Sequence, residues 1–143
     1  MKIELRTTVT TALRKEIKAH YFNAVAECGN EEIEYINLKI ERVVKRLERS
    51  SSALEKDLAA YSCALYDLII EETEFGLEEY HKDIVAALFY LCNPYDVIPD
   101  FNTQDGYLDD AIVVNICINE IRAKSNVSYI RLKQILGKGR FND

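Results

Sequence analysis

Four cysteines without a C-x-x-C pair, only two histidines, and no apolar run of bilayer length narrow what this 143-residue chain is able to do. A zinc centre needs clustered thiols and imidazoles, whereas Cys28, Cys63, Cys92 and Cys117 are far apart and His20 and His81 stand alone. The cysteines therefore read as buried, reduced thiols of a cytoplasmic protein. The longest apolar stretches, 84–92 and 111–118, fall short of the roughly 20 residues a membrane-spanning helix requires. The opening MKIELRTTVT has no apolar segment of the kind that directs secretion. Positive charge is also scarce: 18 Lys and Arg against 24 Asp and Glu give a net charge of −6 and pI near 5.0. A polyanion partner needs a basic footprint, so nucleic acid is not an expected ligand. No G-x-S-x-G, Walker loop or dinucleotide fingerprint occurs, which leaves common hydrolase, nucleotidase and dehydrogenase chemistries without a foothold.

What is present is helical periodicity, with no sustained strand alternation. Val9, Leu13, Ile17, Tyr21 and Val25 fall four apart and predict a first helix over about 8–28, closed by a left-handed Gly29. Asn30 is the expected N-cap of a second helix, whose narrow stripe of Ile33, Ile36, Ile40, Val43 and Leu47 suits packing against one neighbour. Ser52 and Glu55 form a capping box for a third, with Leu54, Leu58, Tyr61, Leu65, Leu68 and Ile69 as its buried face. The polar run 71–76 connects to a fourth helix ending near Cys92. A fifth spans Leu108 to Lys124, and the segment SNVS opens a sixth reaching Leu136. Helices four and five are apolar around most of their circumference, so they are expected to pair as a buried hairpin. The expectation is one all-α domain over 1–143, a bundle of five or six helices around that hairpin. Leu88, Leu91, Ile112 and Ile116 should lie in its core.

Between the two most apolar stretches lies NPYDVIPDFNTQDGYLDD, residues 93–110, which holds five aspartates and both prolines of the chain. Pro94 ends the fourth helix and Pro99 forces Ile98 to be extended, so the backbone there makes few repeating bonds of its own. Asp96 and Asp100 suit turn anchors, and Asp109 and Asp110 suit the positive end of the fifth helix. On that reading the aspartates cap backbone donors. On the other, Asp96, Asp100, Asp109 and Asp110 converge and hold a hard divalent cation such as Mg²⁺ or Ca²⁺. The spacing does not fit an EF-hand loop, so any such site is irregular.

The string Ala87-Leu88, Tyr90-Leu91, Pro94, Asp96, Ile98-Pro99-Asp100, Gly106 and Leu108-Asp109-Asp110 resembles the signature of the YkvA-like family, small bacterial domains of unknown function. The resemblance covers about 84–121, the core segment, leaving the helices over about 8–75 and the tail 137–143 outside it. It implies a fold and a site but no reaction. Thr103, Gln104 and Asp105 stand where the family usually has proline and apolar residues, and they make the loop tip wetter and less suited to a membrane.

Other signals carry less. Glu78-x-x-His81 is half of a di-iron motif, with no second half. Arg14 and His20 match a short ribonuclease-like spacing, but the sequence supplies no partner to orient them. His81 reads as a surface or half-buried residue. Lys39, Arg42, Lys45, Arg46 and Arg49 form a basic side of the second helix, and Glu71, Glu72, Glu74, Glu78 and Glu79 an acidic cluster. Both read first as solvated faces. The functional expectation is a non-catalytic interaction or regulatory module with a protein partner, such as an acidic inhibitor or immunity-type protein facing a basic one. It needs no cofactor. The alternative is a metal-dependent enzyme or metal-binding protein built on the aspartate loop.

Overall fold

The computed structural model describes Leu5 and residues 11–73, 77–92 and 108–138, and every described element is a helix. In chain order these are α1 (Thr11–Glu27), α2 (Asn30–Glu48), α3 (Ala53–Glu72), α4 (Glu79–Cys92), α5 (Leu108–Lys124) and α6 (Asn126–Lys138). The expected all-α bundle of six helices is what forms, and the buried apolar side chains make one continuous core.

Caps set the helix starts, though not always as expected. Gly29, not Asn30, is the N-cap of α2; it is extended, with φ −158°, so it does not close α1 through a left-handed turn. Nothing lies within 4 Å of where a Cβ would stand on Gly29, so the position does not demand glycine. The Gly29 N–H donates to Glu32 Oε1 at 2.6 Å, satisfying a donor that the helix leaves open. At α3 half of the expected capping box forms. Ser52 Oγ accepts from the Glu55 N–H at 3.3 Å, while the Ser52 N–H turns back to Ser50 Oγ at 3.0 Å. Ser125 Oγ accepts from the Ser128 N–H at 3.3 Å and caps α6.

The hairpin of α4 and α5 sits at the centre. α4 packs against α1, α2, α3 and α5, and α5 against α1, α3, α4 and α6. From His81 to Cys92 only Lys82 and Phe89 reach the surface. Leu88, Leu91 and Ile112 are buried as expected, whereas Ile116 is only half-buried, because α5 turns that side toward the edge of the core. α2 covers two helices, α3 and α4, rather than one. Val44 widens its buried stripe to Ile36, Ile40, Val43, Val44 and Leu47, and Tyr35 meets Phe89 of α4 edge-on at 5.3 Å. Cys28, Cys92 and Cys117 are buried, but Cys63 is exposed, since it falls on the outer side of α3.

One polar residue inside α5 has a structural task the sequence did not announce. Asn115 is 8% exposed; its Oδ1 accepts from the Leu5 N–H at 2.7 Å and its Nδ2 donates to the Leu5 carbonyl at 2.8 Å. The amide thus pairs both backbone groups of a distant residue, as a neighbouring strand would, and Leu5 is held in the core at 3% exposure.

Leu88 has no exposed surface, so Leu88→Ala is expected to cost about 2 to 5 kcal/mol. Urea titration should show a lower midpoint with an unchanged slope. A loss below about 1 kcal/mol would place the hairpin at the periphery.

Candidate functional site

The aspartate loop that the sequence singles out lies largely beyond the described residues: Asp96 and Asp100 fall outside them, and only the backbone of Asp109 is described. Asp110 is described and is 7% exposed at the start of α5. It faces the end of α4 closely enough for its charge to act on Cys92. Burial first, and Asp110 second, push that thiol up to about 12. One of the four candidate carboxylates is therefore a buried group at the end of the hairpin where α4 stops and α5 starts.

The opposite end of the hairpin holds a polar cluster that sequence reasoning missed. His81, expected near the surface, is 1% exposed. Its position three residues beyond Glu78 lets the ring reach back, so that Nδ1 accepts from the Glu78 N–H at 2.8 Å. With Nδ1 used as an acceptor, the neutral ring carries its proton on Nε2, which faces Glu72 Oε1 at 3.3 Å. Glu72, expected on a solvated acidic face, has turned inward with its side chain 19% exposed. Ser128 Oγ lies 3.0 and 2.9 Å from the two carboxylate oxygens, and the Tyr80 hydroxyl lies 3.1 Å from Oε1. Tyr80 also stands 3.0 Å from Ser128 Oγ, and Ser125 Oγ donates to the same oxygen at 3.0 Å. Burial, with the charge of Glu72 adding to it, holds the Tyr80 phenol above its ordinary value.

This geometry fixes what the group does chemically. A serine nucleophile needs its hydroxyl on a general base, with the imidazole between serine and acid. Here the carboxylate occupies the middle and receives Ser128, Tyr80 and His81 together. Glu72 belongs to α3, Tyr80 and His81 to α4, and Ser128 to α6, so the carboxylate ties three helices at one point.

A second buried group lies two residues further along α4. Asp83 has no exposed side-chain surface, and its Oδ2 accepts from Lys124 Nζ at 2.8 Å. The Tyr21 hydroxyl donates to the Asp83 backbone carbonyl at 2.7 Å. The cost of burying this pair falls on the acid: desolvation outweighs the Lys124 hydrogen bond and raises the Asp83 carboxyl above its ordinary range. Lys124, with 29% of its side chain exposed, loses less hydration, and the hydrogen bond and charge of Asp83 leave its pKa above normal. Burial keeps the thiols out of nucleophilic chemistry as well, pushing Cys28 to about 12 and Cys117 well above its ordinary value.

Among the described residues, no three His, Cys, Asp or Glu side chains are gathered in a way that suits a metal ion. His81 approaches the Glu72 carboxylate, and Arg14 and His20 lie on α1, which supplies none of the bonds to Glu72 described above. The signal for the buried end was a polar run, 71–83, leading straight into a segment apolar on all sides, because burying that segment draws His81 and Asp83 inward with it.

A family model described as "Protein of unknown function (DUF1232)" matches residues 84–116, which run from the sixth residue of α4 into α5. No curated protein and no solved structure matches the chain. The matched segment is thus the central hairpin with its aspartate loop, while the Glu72 cluster lies outside it.

Removing the hub should cost more than removing one spoke. Glu72→Ala leaves three donors without their acceptor and is expected to destabilise by about 1 to 3 kcal/mol, more than Ser128→Ala, which leaves the carboxylate with Tyr80 and His81. Glu72→Gln should recover part of the loss, since an amide oxygen still accepts from His81. Equal losses from both alanine variants in chemical denaturation would contradict the hub.

Asp83 gives a pH signature. An acid whose pKa is raised by folding binds its proton more tightly in the native state. Its contribution is full below the ordinary value of 3.8 and is lost as pH climbs through the raised native value. The stability of the wild type relative to Asp83→Asn is expected to decline across that window, and a pH-independent difference would show that Asp83 does not titrate there.

Proposed function

We propose that the chain is a non-catalytic protein-interaction or regulatory module whose acidic face receives a basic partner, in the manner of an inhibitor or immunity-type protein. The observation that carries this reading is the outer stripe of α3. Cys63, Asp67, Ile70 and Glu71 follow one another at helical spacing and are all exposed. Ile70 keeps 51% of its surface in water. Asp67 has its carboxyl raised above the ordinary range, by burial first and by the charge of Glu71 second. Burial and the charges of Asp67 and Glu48 likewise raise the Cys63 thiol. Glu71 is already met by Arg131 at 2.7 and 2.8 Å, so the charge that a cationic partner would meet is that of Asp67 beside the exposed Ile70, with Glu48 near Cys63.

The buried polar groups agree with this reading, because the serine, histidine and tyrosine of the closed end are engaged with Glu72 and with one another. No described helix is long and apolar enough to cross a membrane, which suits a partner met in solution. The family-model match over 84–116 falls within the segment that resembles the YkvA-like domains, and it supports placing the chain among them. The alternative, a divalent-cation site on Asp96, Asp100, Asp109 and Asp110, draws its support from the burial of Asp110 at the loop mouth.

One set of measurements separates the two. Cys63 is the exposed cysteine, so a benzophenone maleimide placed there reports what lies against α3. In extract of the native cells, illumination is expected to yield an adduct with a basic protein that fades with added salt and is lost in Asp67→Lys. The melting temperature is expected not to move with millimolar Mg²⁺ or Ca²⁺. An adduct indifferent to Asp67 would overturn the interaction reading. A metal-dependent rise in melting temperature that vanishes in Asp100→Asn would establish the cation site instead.

A further inference from the structure

The outer side of α2 carries a second, oppositely charged surface. Taking about 100° per residue, Leu38, Arg42, Lys45, Arg46 and Arg49 fall within an arc of about 100° and form a crest running about 16 Å along the helix. All five are exposed, and Leu38 keeps 80% of its surface in water. The residues that α2 buries, Ile36, Ile40, Val43, Val44 and Leu47, lie on its opposite side, so core packing makes no use of the crest. Lys45 is held by Glu41 at 2.8 Å. Among the described residues Arg42, Arg46 and Arg49 take part in no ion pair, although the chain as a whole has a net charge of −6. Three guanidinium groups and one bare leucine at helical spacing are thus left facing outward together.

The width of this crest limits what fits it. Glu34, Glu41 and Glu48 repeat every seven residues and lie along one flank, about 100° around the helix from the three arginines, with Lys45, paired to Glu41, between them. On a cylinder about 10 to 12 Å across, that angle places the acids roughly 8 to 10 Å from the arginines, within a Debye length. A bilayer surface or a nucleic-acid duplex is broad enough to meet the acidic flank together with the crest, and it suffers repulsion from the one as it gains from the other. A single α-helix is about as wide as the crest and avoids the flank. Its carboxylates, spaced by three and four residues, match the spacing of Arg42, Arg46 and Arg49, and arginine binds carboxylate through two parallel hydrogen bonds.

We propose that the Leu38–Arg42–Arg46–Arg49 crest of α2 docks an acidic helical segment of a protein partner, with an apolar side chain of that segment against Leu38. This surface is separate from the acidic stripe of α3, so either docking face stands or falls without the other.

The test uses the full chain and a short synthetic helical peptide with glutamates four, eight and eleven residues from a leucine, mirroring the crest. A scrambled peptide of equal composition, phosphatidylcholine–phosphatidylserine vesicles and a single-stranded oligonucleotide serve as competitors. By fluorescence anisotropy the patterned peptide is expected to bind saturably, to weaken as salt is raised, and to exceed the scrambled one by about tenfold. The Arg42→Glu/Arg46→Glu variant is expected to lose that binding with an unchanged melting temperature, because both side chains are in water, while Glu48→Gln keeps it. Equal binding of the scrambled peptide would reduce the crest to unspecific charge. Tighter binding of vesicles or oligonucleotide, or unchanged binding by the double variant, would equally overturn the proposal.

Discussion

The constraint on which the rest of this structure depends is that α4 carries two polar side chains, His81 and Asp83, into the core near its start. A helix start leaves backbone N–H groups without intrahelical partners, and in the open such groups turn to water. Here the first turns also carry His81 and Asp83, at 1% and 0% exposure. Every one of those polar groups has to be met by protein. His81 reaches back to the Glu78 N–H, Glu72 arrives from α3, Ser128 from α6, Lys124 from the end of α5, and Tyr21 from α1. The helices that supply these partners are thereby fixed around the hairpin, with directional bonds at its closed end and apolar packing along its length.

Placement decides what the ionisable groups mean. Inward, a carboxylate such as Glu72 is a hub for donors, and Asp83 bears a desolvation cost that the Lys124 bond only partly offsets. Outward, the same residue types set the surface character: acids along α3, cations along the crest of α2, and an acidic flank of Glu34, Glu41 and Glu48 beside that crest.

Much of the fold was legible in the chain. The period of apolar residues located all six helices, and α5 matched its expected bounds at Leu108 and Lys124, because capping signals and charge bracket it. The runs 84–92 and 111–118 announced a buried hairpin through their apolarity on all sides. Less was legible wherever a side chain depends on a residue distant in sequence. His81 and Glu72 looked like surface groups because each is polar beside other polar residues, and nothing local reveals that they meet each other and Ser128. Asn115 gave no hint of its pairing with Leu5, 110 residues away. The α2 stripe was too narrow on paper because Val44 faces α3 or α4 only once both are in place, and Cys63 looked buried because its neighbours in sequence are apolar.

The sequence by itself determined which segments are helical, which faces are apolar, and that negative charge gathers in the segment between helices four and five. These properties are local, set by period, caps and composition within a few turns of chain. The tertiary structure decided which polar residues go inside, which carboxylate becomes a hub, and which charges remain on the surface, because each is settled by packing between helices far apart in sequence. Burial removes water as the competing partner and leaves a polar group only the neighbours that the fold brings to it.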